Sequence, residues 1–234
     1  MKAIVRKTAG CIMLLILVVW QGCGVEAVRS NRRAQVYLEH DKYEAAKQEL
    51  ERSVNLDFEN PASHYWLAKC YAALNETTKA EWEYALAVRF DPVNDLFQMS
   101  YIKFLNDNGK EKESLRATKV FLEHKEGAMR DFLRLGDTFI AEKMDKQGLM
   151  AYFAAAKVEP KNVTPLLTVA DYFASKGDKE KESEYRVKAF KINPYYPGLA
   201  KWLGEHGLRV DVPEPPDYPP RPTELEKELF ELEL

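Results

Sequence analysis

The chain is poor in the residues that most catalytic and cofactor chemistry needs. Its four histidines, His40, His64, His124 and His206, are scattered, with no HExxH pair and no cysteine at ligand spacing, so no metal site is expected. A glycine-rich phosphate loop and a GxSxG turn are both missing, and no Ser/His/Asp arrangement stands out. The expectation is a non-enzymatic protein with no cofactor and no small-molecule substrate. Basic charge is not in excess either: 34 Lys and Arg stand against 37 Asp and Glu, a net charge of −3, which argues against a nucleic-acid partner. Cysteine is scarce. Cys11 and Cys23 lie near the amino end, which leaves Cys70 alone in the rest of the chain with no partner for an intramolecular disulfide, and a buried structural thiol is expected there.

What the chain has is a globular composition, 46% hydrophobic and 30% charged, and a repeat. The stretch from Pro61 to Asn94 puts Leu67, Ala68, Tyr71, Ala80, Tyr84, Ala87 and Pro92 at offsets that recur when the sequence is shifted by 34 residues without gaps. Counting Pro61 as position 1, position 8 reads Ala34, Ala68, Ile102, Gly136 and Ala170, then Gly204 in a truncated unit. Position 11 reads Tyr37, Tyr71, Leu105, Phe139 and Phe173. Turn signals fall at Asp41, Asn75, Gly109 and Gly177, with Lys143 at that place in the fourth unit. Pro92, Pro160 and Pro194 end second helices, while Phe58 and Glu126 depart from that pattern. The third unit is the poorest match, with Ser114, Thr118 and Phe121 at its second-helix contact positions.

This pattern resembles the tetratricopeptide repeat, a helix–turn–helix unit with a 34-residue period. The resemblance implies an all-α fold, a right-handed superhelical solenoid of five repeats plus a capping helix. Units are expected at 27–60, 61–94, 95–128, 129–162 and 163–196, with the cap at 197–207.

The amino end, residues 1–22, lies outside this array. Lys2, Arg6 and Lys7 precede an apolar run from Ile12 to Trp20, followed by Gln21, Gly22 and Cys23. That order resembles a bacterial lipoprotein signal, in which Cys23 would carry the lipid and residues 23–26 form a short tether. An uncleaved anchor and plain secretion remain as alternatives, since no charge interrupts Thr8 to Val25. All three put the array on the far side of a bacterial membrane, in the cell envelope facing the periplasm or exterior.

The carboxyl end changes character. Residues 208–222 carry six of the chain's 12 prolines, Pro213, Pro215, Pro216, Pro219, Pro220 and Pro222, and read as an extended linker. Residues 223–234, TELEKELFELEL, read as an acidic amphipathic segment opened by a capping box at Thr223 and Glu226.

In tetratricopeptide arrays the first helices line a concave groove. Carried over by position, the resemblance implies a partner-binding groove with Arg32 and Gln35 from the first unit, and Tyr65, Trp66 and Lys69 from the second. Met99 and Lys103 would come from the third, and Arg130 and Arg134 from the fourth. The middle of that groove is basic and aromatic, a composition that suits an acidic peptide. The chain's own acidic tail is the nearest example of one. The expected function is therefore a membrane-tethered interaction scaffold that binds a peptide or protein partner. Its alternative is a structural subunit of an envelope complex that binds through the convex face or the end caps.

Overall fold

The computed structural model describes residues 25–213. The apolar leader with Cys23, the linker beyond Pro213 and the acidic segment 223–234 lie outside the described residues. Among the described residues there are eleven α-helices and no strand: α1 (residues 25–38), α2 (Tyr43–Leu56), α3 (Pro61–Ala73), α4 (Thr77–Phe90), α5 (Asp95–Asp107), α6 (Glu111–His124), α7 (Met129–Ala141), α8 (Asp145–Val158), α9 (Thr164–Ser175), α10 (Lys179–Ile192) and α11 (Leu199–Glu205). The helix α1 already includes residues 25 and 26, which the sequence assigns to a tether.

The 34-residue period is written into the backbone. Positive φ occurs at Asp41 (55°), Asn75 (60°), Gly109 (74°), Lys143 (61°) and Gly177 (75°), one left-handed residue per turn at constant spacing. Each is followed by an amide that reaches back to the position-11 carbonyl: Lys42 to Tyr37, Glu76 to Tyr71, Lys110 to Leu105, Met144 to Phe139 and Asp178 to Phe173. This is the Schellman closure, which satisfies a carbonyl left over at the helix end. Second helices end with the same regularity. Asp57, Asp91, Lys125, Glu159 and Asn193 each donate an amide to the carbonyl four residues earlier.

The chain divides into two compact units, one ending at Lys125 and the other starting at Glu126. In the first unit the core holds Ala34, Ala46, Leu50, Leu67, Ala68, Tyr71, Ala80, Tyr84, Ala87, Phe97 and Phe104. Alanine at positions 8 and 20 lets paired helices approach closely, and the aromatic rings fill the space beside them. Cys70 is fully buried there, and burial pushes its thiol up to about 12. The poorly matching third repeat compensates internally. Bulky Ile102 faces small Ser114, whose Oγ donates to the Ile102 carbonyl at 3.0 Å, and Thr118 Oγ1 donates to the Ser114 carbonyl at 2.8 Å.

Between repeats of the first unit, a buried side chain at position 4 holds the turn. His64 Nε2 lies 2.7 Å from the Phe58 carbonyl, and Gln98 Nε2 donates to the Pro92 carbonyl at 2.9 Å, one period later. The same bond closes the turn whether Phe58 or Pro92 stands there. Asn60 and Asn94 cap the following helices, accepting from the amides of Ser63 and of Leu96 and Phe97.

In the second unit, α7 and α8 meet through two glycines, Gly136 and Gly148, at positions 8 and 20. Tyr152 donates to Asp137 at 2.7 Å, and one period later Arg186 donates to Asp171 at 2.8 Å. The closing helix α11 is shorter than the expected cap. It begins after Gly198, whose φ of 77° turns the chain, and buries Leu199 and Leu203 with Val163, Ala189 and Phe190.

Candidate recognition surface

The expected groove residues divide between the two units, and each unit is described by itself. In the first, Arg32 and Gln35 are exposed on α1, and Lys69 is exposed on α3. Lys69 Nζ lies 4.8 Å from the centroid of the Trp66 ring and 5.8 Å from that of Tyr65, so the ammonium rests on an aromatic pair. Trp66 is half-buried, as are Met99 and Lys103 on α5; the Lys103 ammonium is 3.5 Å from Asp107.

Tyr65 is a correction. The residue is 5% exposed, and its ring packs against Trp66, Tyr84 and Phe97 with centroid separations of 4.8, 6.3 and 5.0 Å. It is a core residue that seats Trp66, and its side chain is not free to meet a partner. Position alone did not separate it from Trp66, because both follow the helix start by a few residues and only the packing of α4 and α5 decides which ring is covered.

In the second unit, Arg130 and Arg134 sit one turn apart on α7, both exposed. The Arg134 side chain is 76% exposed, and its Nη2 is 3.3 Å from Asp131 Oδ1. Asp131 uses its other oxygen to accept the Ala128 amide at 3.0 Å, so the carboxylate is held by the helix start. A guanidinium pair of this kind on one helix face can meet one carboxylate ligand from two directions.

The second helices carry a feature that the sequence reading did not single out. Trp82 on α4 is 65% exposed and borders a depression of about 540 Å³ lined by Tyr71, Thr78, Lys79, Glu81, Glu83, Ala85 and Tyr101. The signal available in the sequence was a tryptophan at position 22, where the other units place Gln48, Arg116, Met150 and Glu184. Among the described residues no cluster of His, Cys, Asp and Glu could hold a metal ion, and no helix is long and apolar enough to cross a membrane.

Residues 30–60 match the family model described as tetratricopeptide repeat. No curated protein matches the sequence. Among solved structures, a tetratricopeptide repeat protein from Parabacteroides merdae is 14% identical, with 79% of this chain and 75% of that chain covered at a TM-score of 0.46. Pseudomonas aeruginosa pilF is 19% identical over 91% of this chain and 100% of that chain, TM-score 0.44. MamA from Desulfovibrio magneticus RS-1 is 16% identical over 74% and 98%, TM-score 0.44. Proteins of the tetratricopeptide type bind protein or peptide partners and are generally non-enzymatic scaffolds. Residues 30–60 match the repeat directly, the same turn geometry recurs every 34 residues up to Gly177, and the described residues form an all-α array of helix–turn–helix units similar to the tetratricopeptide repeat.

Proposed function

We propose that this protein is a non-enzymatic scaffold of the bacterial cell envelope, tethered through a lipid on Cys23, that binds an acidic peptide or protein segment on its first helices. The observation that carries the reading is the exposed pair Arg130 and Arg134, one turn apart on α7. In the first unit the Lys69–Trp66 pair offers a cation already placed over an aromatic ring, with Arg32, Gln35, Met99 and Lys103 on neighbouring first helices. Such aromatic and basic side chains are the usual anchors of protein interfaces. The acidic segment 223–234 is the nearest ligand of the right charge.

The test is recovery of a partner with the detergent-extracted protein. Substituting Trp66, Arg130 and Arg134 together by alanine abolishes recovery if the first helices bind, and unchanged recovery would refute the reading. Deleting residues 223–234 raises affinity for an external acidic peptide if the tail competes for the same surface.

The second reading, a structural subunit that binds through its other faces, is favoured by one observation, the exposure of Trp82 on a second helix. Retention of the partner in the triple variant, with loss in Trp82→Ala, is the outcome that selects it.

A further inference from the structure

The depression beside Trp82 has three aromatic rings in its walls. Its walls come from three helices of the first unit: Tyr71 on α3, Trp82 and Ala85 on α4, and Tyr101 on α5. Tyr71 is nearly buried, its hydroxyl donating to Glu51 at 2.8 Å, and the ring is fixed further by Lys79 Nζ, 5.1 Å from its centroid. Burial raises the Tyr101 phenol above its usual range, so this wall stays neutral. Trp82 alone stands out into solvent, a large ring with no aromatic neighbour among the described ring pairs. The rim carries both signs of charge, Lys79 and Glu81, in ion pairs with Glu76 and Lys110.

An aromatic-walled groove with a mixed rim suits one kind of chain segment. Polyproline helices present pyrrolidine rings along three edges and lack the amides that other extended segments use for pairing, so they are recognised by aromatic surfaces. The chain supplies such a segment just where the described residues end: Pro213 to Pro222, PEPPDYPPRP, with Glu214, Asp217 and Arg221 giving it both signs of charge. We propose that the Trp82 depression binds this proline-rich segment of a second copy of the chain. The depression belongs to the first unit and the segment follows the second, and a segment supplied by a second copy approaches the depression without the constraint of its own chain. Each copy then offers one groove and one segment, a head-to-tail contact of the low-area, concentration-dependent class. This inference does not rest on the first-helix reading, and neither Trp66 nor the α7 arginines takes part in it.

The experiment is sedimentation equilibrium of the full-length protein in detergent, with a synthetic peptide of residues 211–224 as competitor. The expected result is reversible self-association that the peptide dissolves and that Trp82→Ala weakens by about tenfold or more. Replacing Pro215, Pro216, Pro219 and Pro220 by alanine leaves the helical repeats untouched and must weaken association equally, which guards against a folding defect in Trp82→Ala. Trp66→Ala must leave association unchanged, which separates this result from the first-helix surface. Self-association that survives both the Trp82 and the proline substitutions overturns the proposal. So does a full chain that stays monomeric while the peptide binds it, since the groove would then not be filled by a neighbouring copy.

Discussion

Gly136 on α7 faces Tyr152 on α8 so closely that a β-carbon at residue 136 would sit 2.3 Å from the tyrosine Cε1. The ring cannot yield easily, because it is buried and its hydroxyl donates to Asp137 at 2.7 Å. Alanine improves helix propensity by about 1 kcal/mol, but overpacking of a fixed ring costs about 1–3 kcal/mol. Gly136→Ala should therefore lower stability by up to about 2 kcal/mol by denaturant unfolding, and pairing it with Tyr152→Leu should recover most of the loss. A destabilisation that Tyr152→Leu does not relieve would show that the contact is not the cause.

His64 and Gln98 do the same job one period apart, each bonded to a turn carbonyl, at Phe58 and Pro92 respectively. His64 is fully buried and its Nδ1 also meets Glu83 Oε2 at 2.6 Å. Removing the ring strands both partners and leaves a cavity, so His64→Ala should cost about 2–4 kcal/mol. Glutamine can restore the carbonyl bond as Gln98 does, so His64→Gln should cost less than half as much. Equal losses for the two variants in thermal unfolding would contradict the shared role.

Lys143 holds φ at 61°, the left-handed conformation that Gly109 and Gly177 adopt without steric cost. Lys143→Gly should stabilise the protein by about 1 kcal/mol, raising Tm by about 2–4 °C. The converse change, Gly109→Lys, should lower it by a similar amount. No change in either variant would mean that these turns do not carry the strain.

The positions of these turns were legible in the sequence because chain reversal after a first helix demands a left-handed residue, and Asp, Asn and Gly tolerate it best. Lys143 was placed by register alone, since its own chemistry gives no turn signal. The core positions, Ala34, Ala68, Tyr71, Ala80 and Tyr84, were legible for a similar reason: contact between stacked helices constrains side-chain volume at fixed offsets. Recognition surfaces obey no such period. Tyr65 stands at a groove position in the repeat yet packs under Phe97 and Tyr84, and no repeat position marks Trp82, because the depression beside it is assembled from α3, α4 and α5. Ile102 is the bulky residue at position 8, and small Ser114 stands across the helix pair from it.

Cys70 offers a readout of the first core. Burial pushes its thiol up to about 12, so almost no thiolate exists at pH 8. Native protein treated with iodoacetamide at pH 8 should leave the Cys70 peptide unmodified by mass spectrometry, and labelling should follow only on unfolding in guanidinium. Native labelling as fast as in denaturant would contradict the packing around α3.

The central claim is that exposed basic groups on the first helices recognise an acidic peptide, and its most direct measurement is fluorescence anisotropy of a labelled peptide of residues 223–234 titrated with the full chain. Reversing both charges, Arg130→Glu with Arg134→Glu, should weaken binding by about tenfold or more and flatten its salt dependence. Binding of unchanged affinity in the charge-reversed protein, or none in the wild type up to millimolar concentration, would contradict the account.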